Sequence, residues 1–132
     1  MKIAYWFGII ILSVASCKDQ GQSILLEEKV IDHVNLIYSD IETIEIVYIS
    51  DGLEITGYIH RPKTVGKYPV VIYNRGGNRN LGTHSINSFD FQREIASKGY
   101  VVLSSQLRGN KFSEGVDEMG GKDLNDILRL IP

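Results

Sequence analysis

The sequence predicts an α/β fold with parallel strands, and three observations carry that expectation. Residues 70–73 and 100–103 are short continuous apolar runs, the composition of strands buried on both faces of a parallel sheet. A segment with helix signals separates them, and a strand–helix–strand order implies parallel pairing through a right-handed crossover. Upstream, residues 44–60 alternate with a period of two on either side of a turn, which reads as a β-hairpin.

The 132 residues suffice for at most one domain. A composition of 43% hydrophobic and 23% charged residues excludes a fully disordered chain, a collagen-like repeat and a polytopic membrane protein. The formal net charge of −2 leaves no basic excess, so no nucleic-acid partner is expected. The one cysteine, Cys17, excludes an internal disulfide framework and any multi-cysteine metal site. No His/Asp/Glu spacing suits a metal, and none of the motifs below calls for a cofactor.

Element by element, the chain opens with Lys2 and an apolar run of about a dozen residues, the layout of a secretory signal. Spanning a bilayer takes roughly 20 apolar residues, so the run is short for an anchor. The small residues Val14-Ala15-Ser16 then precede Cys17. This order resembles the bacterial lipobox, which implies a signal peptide over residues 1–16, a lipid on Cys17 and a polar tether over 17–23. An uncleaved hydrophobic anchor with an incidental thiol is the alternative. Residues 24–43 form a mixed lead-in: Leu26, Val30, Val34 and Ile41 nearly fit a helical stripe, while 24–26 and 34–38 also read as strands.

In the hairpin, Ile44, Ile46 and Tyr48 alternate with Glu45, Val47 and Ile49, and Ser50-Asp51-Gly52 supplies the turn. Leu53, Ile55, Gly57 and Ile59 alternate with Glu54, Thr56, Tyr58 and His60, which leaves part of one face polar, and Arg61-Pro62 end it. Residues 63–67 are a loop before the first buried strand. Asn74-Arg75-Gly76-Gly77-Asn78-Arg79-Asn80 follows that strand as a sharp glycine loop. Asn87 or Ser88 can cap a helix over 89–98, with Phe91 and Ile95 on one face and Gly99 closing it. After the strand at 100–103, residues 108–121 form a long glycine-rich loop. Asp123 can cap a last helix whose Leu124, Ile127, Leu128 and Ile131 repeat at i, i+3, i+4 and i+7.

From Ile44 to Ile131 the motifs resemble those of the α/β-hydrolases, in the prolyl-oligopeptidase branch of serine peptidases. The residues that carry the resemblance are the strand and glycine loop ending Asn74-Arg75-Gly76-Gly77; Gly99-Tyr100-Val101-Val102; Arg108-Gly109; Ser113-Glu114-Gly115; and Gly120-Gly121-Lys122-Asp123-Leu124-Asn125-Asp126. The hairpin with Asp51-Gly52 and Gly57 ahead of Arg61-Pro62 fits too. Two positions depart from the family pattern. Arg75 stands where a histidine usually precedes the glycine pair, and Gln106 where many members carry an acidic residue. The resemblance implies a partial α/β-hydrolase fold over 44–132: the hairpin, then β-α-β-α of a mostly parallel sheet, stopping before the nucleophile elbow.

Acyl transfer on this fold needs a serine within Gly-x-Ser-x-Gly, with an acid and a histidine later in the chain. No serine here has those neighbours, and His33, His60 and His84 all lie upstream of where the histidine belongs. No catalytic residue is therefore expected within the chain. The glycine loop retains a role in this frame: backbone N–H groups at Gly76, Gly77 and Asn78 are oxyanion-hole candidates, against an ordinary strand-to-helix turn. Arg108 can pair with Asp117, Asp123 or Asp126 and, with Asp123, order the long loop, or it can be solvated. Arg75 and Arg79 can meet a substrate carboxylate or stay in solvent. His84, in a polar loop, is expected at the surface.

The expected whole is an exported, lipid-anchored serine hydrolase of the bacterial cell envelope, acting on peptide or ester substrates and held to the membrane through Cys17. This chain would represent its N-terminal part and be inert alone. The alternative is a non-catalytic surface lipoprotein, either a binding module or a hydrolase relic.

Overall fold

In the computed structural model, residues 24–31, 37–77, 79 and 81–131 are described. The signal-peptide and lipidation readings at residues 1–17, the tether, His33 and the oxyanion candidate Asn78 lie outside the described residues. Five strands make one mixed sheet in the order β1-β2-β3-β5-β4. Strands β1 (Leu25–Val30), β2 (Ile41–Ser50) and β3 (Leu53–Pro62) pair antiparallel in sequence. β3 then runs antiparallel to β5 (Val101–Ser105), and β5 pairs in parallel with β4 (Val70–Ile72). A single 3₁₀ turn (Ile86–Ser88) and α1 (Asp90–Ser97) cross from β4 to β5, and α2 (Asp123–Leu128) follows the long loop. The α/β class, the hairpin and the parallel pair are those the sequence predicts.

The β2–β3 turn has positive φ at both Asp51 (51°) and Gly52 (80°), the left-handed pair of a two-residue hairpin. The hairpin starts at Ile41, inside the expected lead-in, because Ile41 and Thr43 are buried and the ladder continues out to Pro62. The rest of the lead-in is not helical where described. It gives β1, bulged between Leu25 and Glu27, and a turn over residues 37–40.

The two sheet faces differ in chemistry. On one, Ile44, Ile46, Tyr48 and Ile55 form an apolar cluster closed by Leu130, just past α2. Gly57 belongs to this sheet because a Cβ there would stand 2.8 Å from the Ser104 carbonyl oxygen and 3.2 Å from the Tyr48 ring. On the other face Thr43, Tyr58, His60 and Ser104 are buried beneath α1. The hairpin's polar face is thus an interior layer and not a solvated one.

That layer explains why α1 is turned differently from the expectation. Phe89, Gln92, Arg93 and Ala96, at i, i+3, i+4 and i+7, face inward, while Phe91 is 56% exposed and Ile95 only half-buried. The surface beneath offers hydrogen-bond partners: Arg93 Nε donates to Thr43 Oγ1 (3.2 Å) and Ser104 Oγ donates to Gln92 Oε1 (2.9 Å). Entry to the helix is set by Ser85, whose N–H donates to Ser88 Oγ (2.8 Å), with the 3₁₀ turn intervening. Gly99 closes the helix as expected, at φ 89° with its N–H on the Ala96 carbonyl.

Three further expectations are corrected. Leu124, Leu128 and Ile131 are exposed, and α2 buries Asp123 and Asp126 instead: Asp126 is the counter-charge that the buried guanidinium of Arg108 requires, and Asp123 accepts the Gly120 N–H. Asp123 lies in the first turn of α2 and does not cap it. Residues 70–73 are not covered on both faces: β4 is an edge strand paired with β5 alone among the described residues, and Val70 is exposed. Where β5 leaves β3, the following loop takes over the strand's edge. Gln106 N–H donates to the Thr56 carbonyl (2.9 Å), Thr56 N–H to Ser113 Oγ (3.0 Å), Glu54 N–H to Glu114 Oε2 (2.9 Å), and Glu114 N–H to the Glu54 carbonyl (2.9 Å).

Candidate functional site

Because β4 and β5 run in parallel, their C-terminal ends open side by side, the place where open α/β sheets bind ligands. The loop over 73–82 leaves β4 there and the loop over 106–121 leaves β5. Gly77 (φ 84°) and Gly82 (φ 76°) let the first loop fold back on itself. A Cβ on Gly77 would lie 2.3 Å from the Leu81 carbonyl oxygen, and one on Gly82 2.2 Å from that of Gly76. Gly76 and Gly77 are exposed, and among the described residues none accepts a hydrogen bond from either amide. Both placed oxyanion candidates therefore stand at the open end of the parallel pair.

Arg75 is neither solvated nor directed outward. Its side chain is 1% exposed. Nε donates to the Gln106 carbonyl (3.1 Å), Nη1 to the Leu81 carbonyl (2.8 Å) and Nη2 to the Arg79 carbonyl (3.0 Å). Asp117 Oδ2 stands 3.5 Å from Nη2 and accepts the Arg79 N–H at 2.7 Å. Asp117 also accepts from Asn110 Nδ2 (3.1 Å) and the Met119 N–H (2.9 Å), and these donors hold its carboxyl below the usual range. Arg79 meets the network through its backbone, and the residue itself is exposed.

Gln106 uses its whole amide. Oε1 accepts from the His84 N–H (3.0 Å), and Nε2 donates to the His84 carbonyl (2.8 Å) and to Tyr58 Oη (3.3 Å). A carboxylate could not donate to the His84 carbonyl, so the amide at this position supplies a bond that an acid would lack. His84 is accordingly buried, against the surface placement expected from its loop. Gln92 Nε2 donates to its Nδ1 (3.1 Å), so the ring proton sits on Nε2. Burial first, then the nearby Arg75 and Lys111 cations, lower His84 to about 4. His60, with Nδ1 3.0 Å from Thr43 Oγ1, is lowered to about 3, by burial first and then by Arg93 and His84. Both rings are buried and held neutral at physiological pH, each hydrogen-bonded through Nδ1 while its Nε2 is buried without a hydrogen-bond partner among the described residues. They do not form a base for the open end.

Arg108 pairs with one of the three offered acids, Asp126, and with one not considered, Asp51. Nη2 donates to Asp126 Oδ1 (2.7 Å) and to Asp51 Oδ2 (2.9 Å), and Nε and the backbone N–H both donate to Asp126 Oδ2 (3.2 and 2.8 Å). Hydrogen bonds from Asn125 and Arg108 lower Asp51. Asp123 orders the end of the loop by accepting the Gly120 N–H on both oxygens (3.1 and 3.0 Å). Arg108 and Asp123 thus both structure the loop, through different partners. Among the described residues no group of three or more His, Cys, Asp or Glu side chains is placed to hold a metal ion.

Sequence reasoning missed Gln106, His84 and Lys111 as loop-holding residues, and offered Asp117 to Arg108 where its partners are Arg75, Arg79 and Asn110. Lys111 Nζ donates to the His84 carbonyl, adding to the ties that Gln106 and Asp117 make between the two loops. The acceptors are mostly main-chain carbonyls, which leave no mark in a residue pattern. Gln106 alone carried a signal, as an amide where an acid is usual.

No family model matches the chain. It is 33% identical over 83 residues to the uncharacterized peptidase YtmA of Bacillus subtilis, covering 63% of this chain and 31% of that protein. It is 32% identical over 95 residues to a Synechocystis protein described as a carboxymethylenebutenolidase, covering 66% of this chain and 36% of that one. Among solved structures it superposes on an acetyl xylan esterase from Paenibacillus sp. R4 with a TM-score of 0.50 and 25% identity, over 68% of this chain and 28% of the esterase. The chain spans about a third of the length of the curated relatives it matches.

Proposed function

We propose that this chain, whose partial α/β-hydrolase fold and hydrolase-like relatives are its premise, supplies the N-terminal part of a serine hydrolase that cleaves ester or peptide bonds through an acyl-serine intermediate. The observation that carries the reading is the Gly76-Gly77 turn, with exposed residues at the C-terminal ends of β4 and β5 and a glycine at 77 required by close approach to the Leu81 carbonyl. When a serine oxygen attacks an acyl carbonyl, the C=O electron pair moves onto oxygen and the serine proton passes to a histidine. Preorganised N–H donors meet that new negative charge, and removing one lowers kcat by about 10²–10³-fold.

The reading takes the serine, the acid and the histidine from sequence beyond Pro132. The length of the relatives supports this, as does the structural engagement of His60 and His84. The peptidase name favours peptide bonds and the two esterase-type names favour esters. The prolyl-oligopeptidase motifs in the sequence lean towards peptides. In the same reading Cys17 is lipidated and the protein is held at the bacterial cell envelope.

The test begins with the intact mass of the native protein extracted from its own membranes, followed by a fluorophosphonate serine probe. A mass well above that of the chain from Cys17 to Pro132, acyl chains on Cys17 and probe labelling are the expected results. A mass equal to that of the acylated short chain, with no labelling, overturns the hydrolase reading and leaves a non-catalytic lipoprotein.

A further inference from the structure

We infer that Arg75 is a positioning residue that sets the direction of the Gly76 and Gly77 amides, and that Asp117 is its counterpart on the neighbouring loop. The inference rests on the hydrolase reading of that turn and adds what holds the turn in shape. Every nitrogen of the guanidinium is engaged by backbone. Leu81 and Arg79 lie on the far limb of the glycine loop, and Gln106 lies at the end of β5. The cation is therefore the hub around which the loop closes, and it ties the loop to the sheet. With the side chain 1% exposed and its fork filled by three carbonyl oxygens, Arg75 has no donor facing a substrate.

Asp117 acts on the same limb from outside. It accepts the Arg79 N–H and stands 3.5 Å from Arg75 Nη2, and its remaining contacts, Asn110 and Met119, belong to its own loop. The Arg79 backbone is thus gripped on both sides: its carbonyl by Arg75 and its N–H by Asp117. Arg79 sits at φ 48°, a left-handed conformation that a non-glycine residue keeps only where its surroundings hold it. An arginine suits the hub because its planar fork reaches three separated acceptors at once. A lysine presents one point of charge. A histidine at this position would have two nitrogens for the same three carbonyls.

The test uses the native full-length protein with Arg75→Lys and Asp117→Asn, read by amide hydrogen exchange and by ester hydrolysis. Exchange in residues 76–82 rises roughly tenfold in both variants, with β2 and β3 unchanged. In Arg75→Lys, kcat for p-nitrophenyl acetate falls roughly 10–100-fold while KM stays within about twofold, the signature of lost transition-state geometry without lost substrate contact. Unchanged loop exchange in Arg75→Lys overturns the inference. So does a raised KM at constant kcat, which would make Arg75 a substrate contact. A wild-type protein inert to both the ester and the fluorophosphonate overturns the hydrolase reading itself, whatever the exchange shows. An active wild type with an unaffected Arg75→Lys variant overturns only the positioning role. Should Arg75→Lys not fold, Asp117→Asn carries the same comparison from the other side of the Arg79 backbone.

Discussion

The two faces of the sheet solve the same burial problem in opposite ways. Beneath α1 lie Thr43, His60, Ser104, Gln92 and Arg93, a layer held by directed hydrogen bonds. On the α2 face lie Ile44, Ile46, Tyr48, Ile55 and Leu130, held by contact area. The polar face is closed by a two-turn helix. The apolar face is covered by a single short one whose own Leu124 and Leu128 look outward. A hydrogen-bonded layer admits few alternative arrangements, since each donor left without an acceptor costs about 1–3 kcal/mol. An apolar layer tolerates variation in shape far better. The polar layer therefore fixes how α1 sits and, through His84 and Gln106, how the candidate loop sits.

Substitutions on the two faces sharpen this comparison. The largest effect is expected where a charge is stranded. Asp126→Ala leaves Arg108 buried with only the half-exposed Asp51 and should lower stability by about 3–5 kcal/mol, read from the urea midpoint. On the apolar face Ile55→Ala opens a cavity and should remove about 3 kcal/mol by the same assay. In the polar layer Gln106→Glu keeps shape and loses two donated bonds. It should remove about 2 kcal/mol and speed exchange of the His84 amide. A cost for Gln106→Glu near zero would mean that the layer is wet and not specified by its hydrogen bonds.

Between neutral pH and pH 6, above the range where carboxylates titrate, acid should act on the polar face. His60 and His84 stay neutral in the fold down to about 3 and about 4, whereas an unfolded histidine takes a proton near 6.5. Below 6.5 the unfolded chain binds protons that the folded chain refuses, so stability is complete above that value and declines as the pH falls. Between pH 7.5 and 6 the loss should be roughly 1–2 kcal/mol, removed when both positions are replaced by glutamine. The smallest effect is at Phe91, apolar yet exposed: Phe91→Ala should change stability by no more than about 0.5 kcal/mol.

How legible each region was in the sequence follows from the same division. Period-two alternation located β2 and β3, and apolar runs located β4 and β5, because backbone pairing follows those patterns even where Val70 stays exposed and Ser104 is buried. Both helices were turned to the wrong face, since Gln92, Arg93 and Asp126 are buried for their partners and not for their hydropathy. At the site, Gly76 and Gly77 announced a sharp turn. Arg75 and His84 were misplaced because their partners are peptide groups brought near only by the fold.

The exposed margins of the sheet are guarded unequally. β1 carries Glu27, Glu28 and Lys29 along its length, charges that discourage a second chain from adding there. The part of β3 that β5 leaves uncovered is occupied by the loop that follows β5, at Ser113 and Glu114. β4 has neither protection: Val70, Val71 and Ile72 are uncharged, and Val70 faces solvent. Whenever this stretch is free, as when a ribosome has delivered only these residues, it is the adhesive margin. Sticking between nascent copies, and the grip of any chaperone that prevents it, should begin at β4.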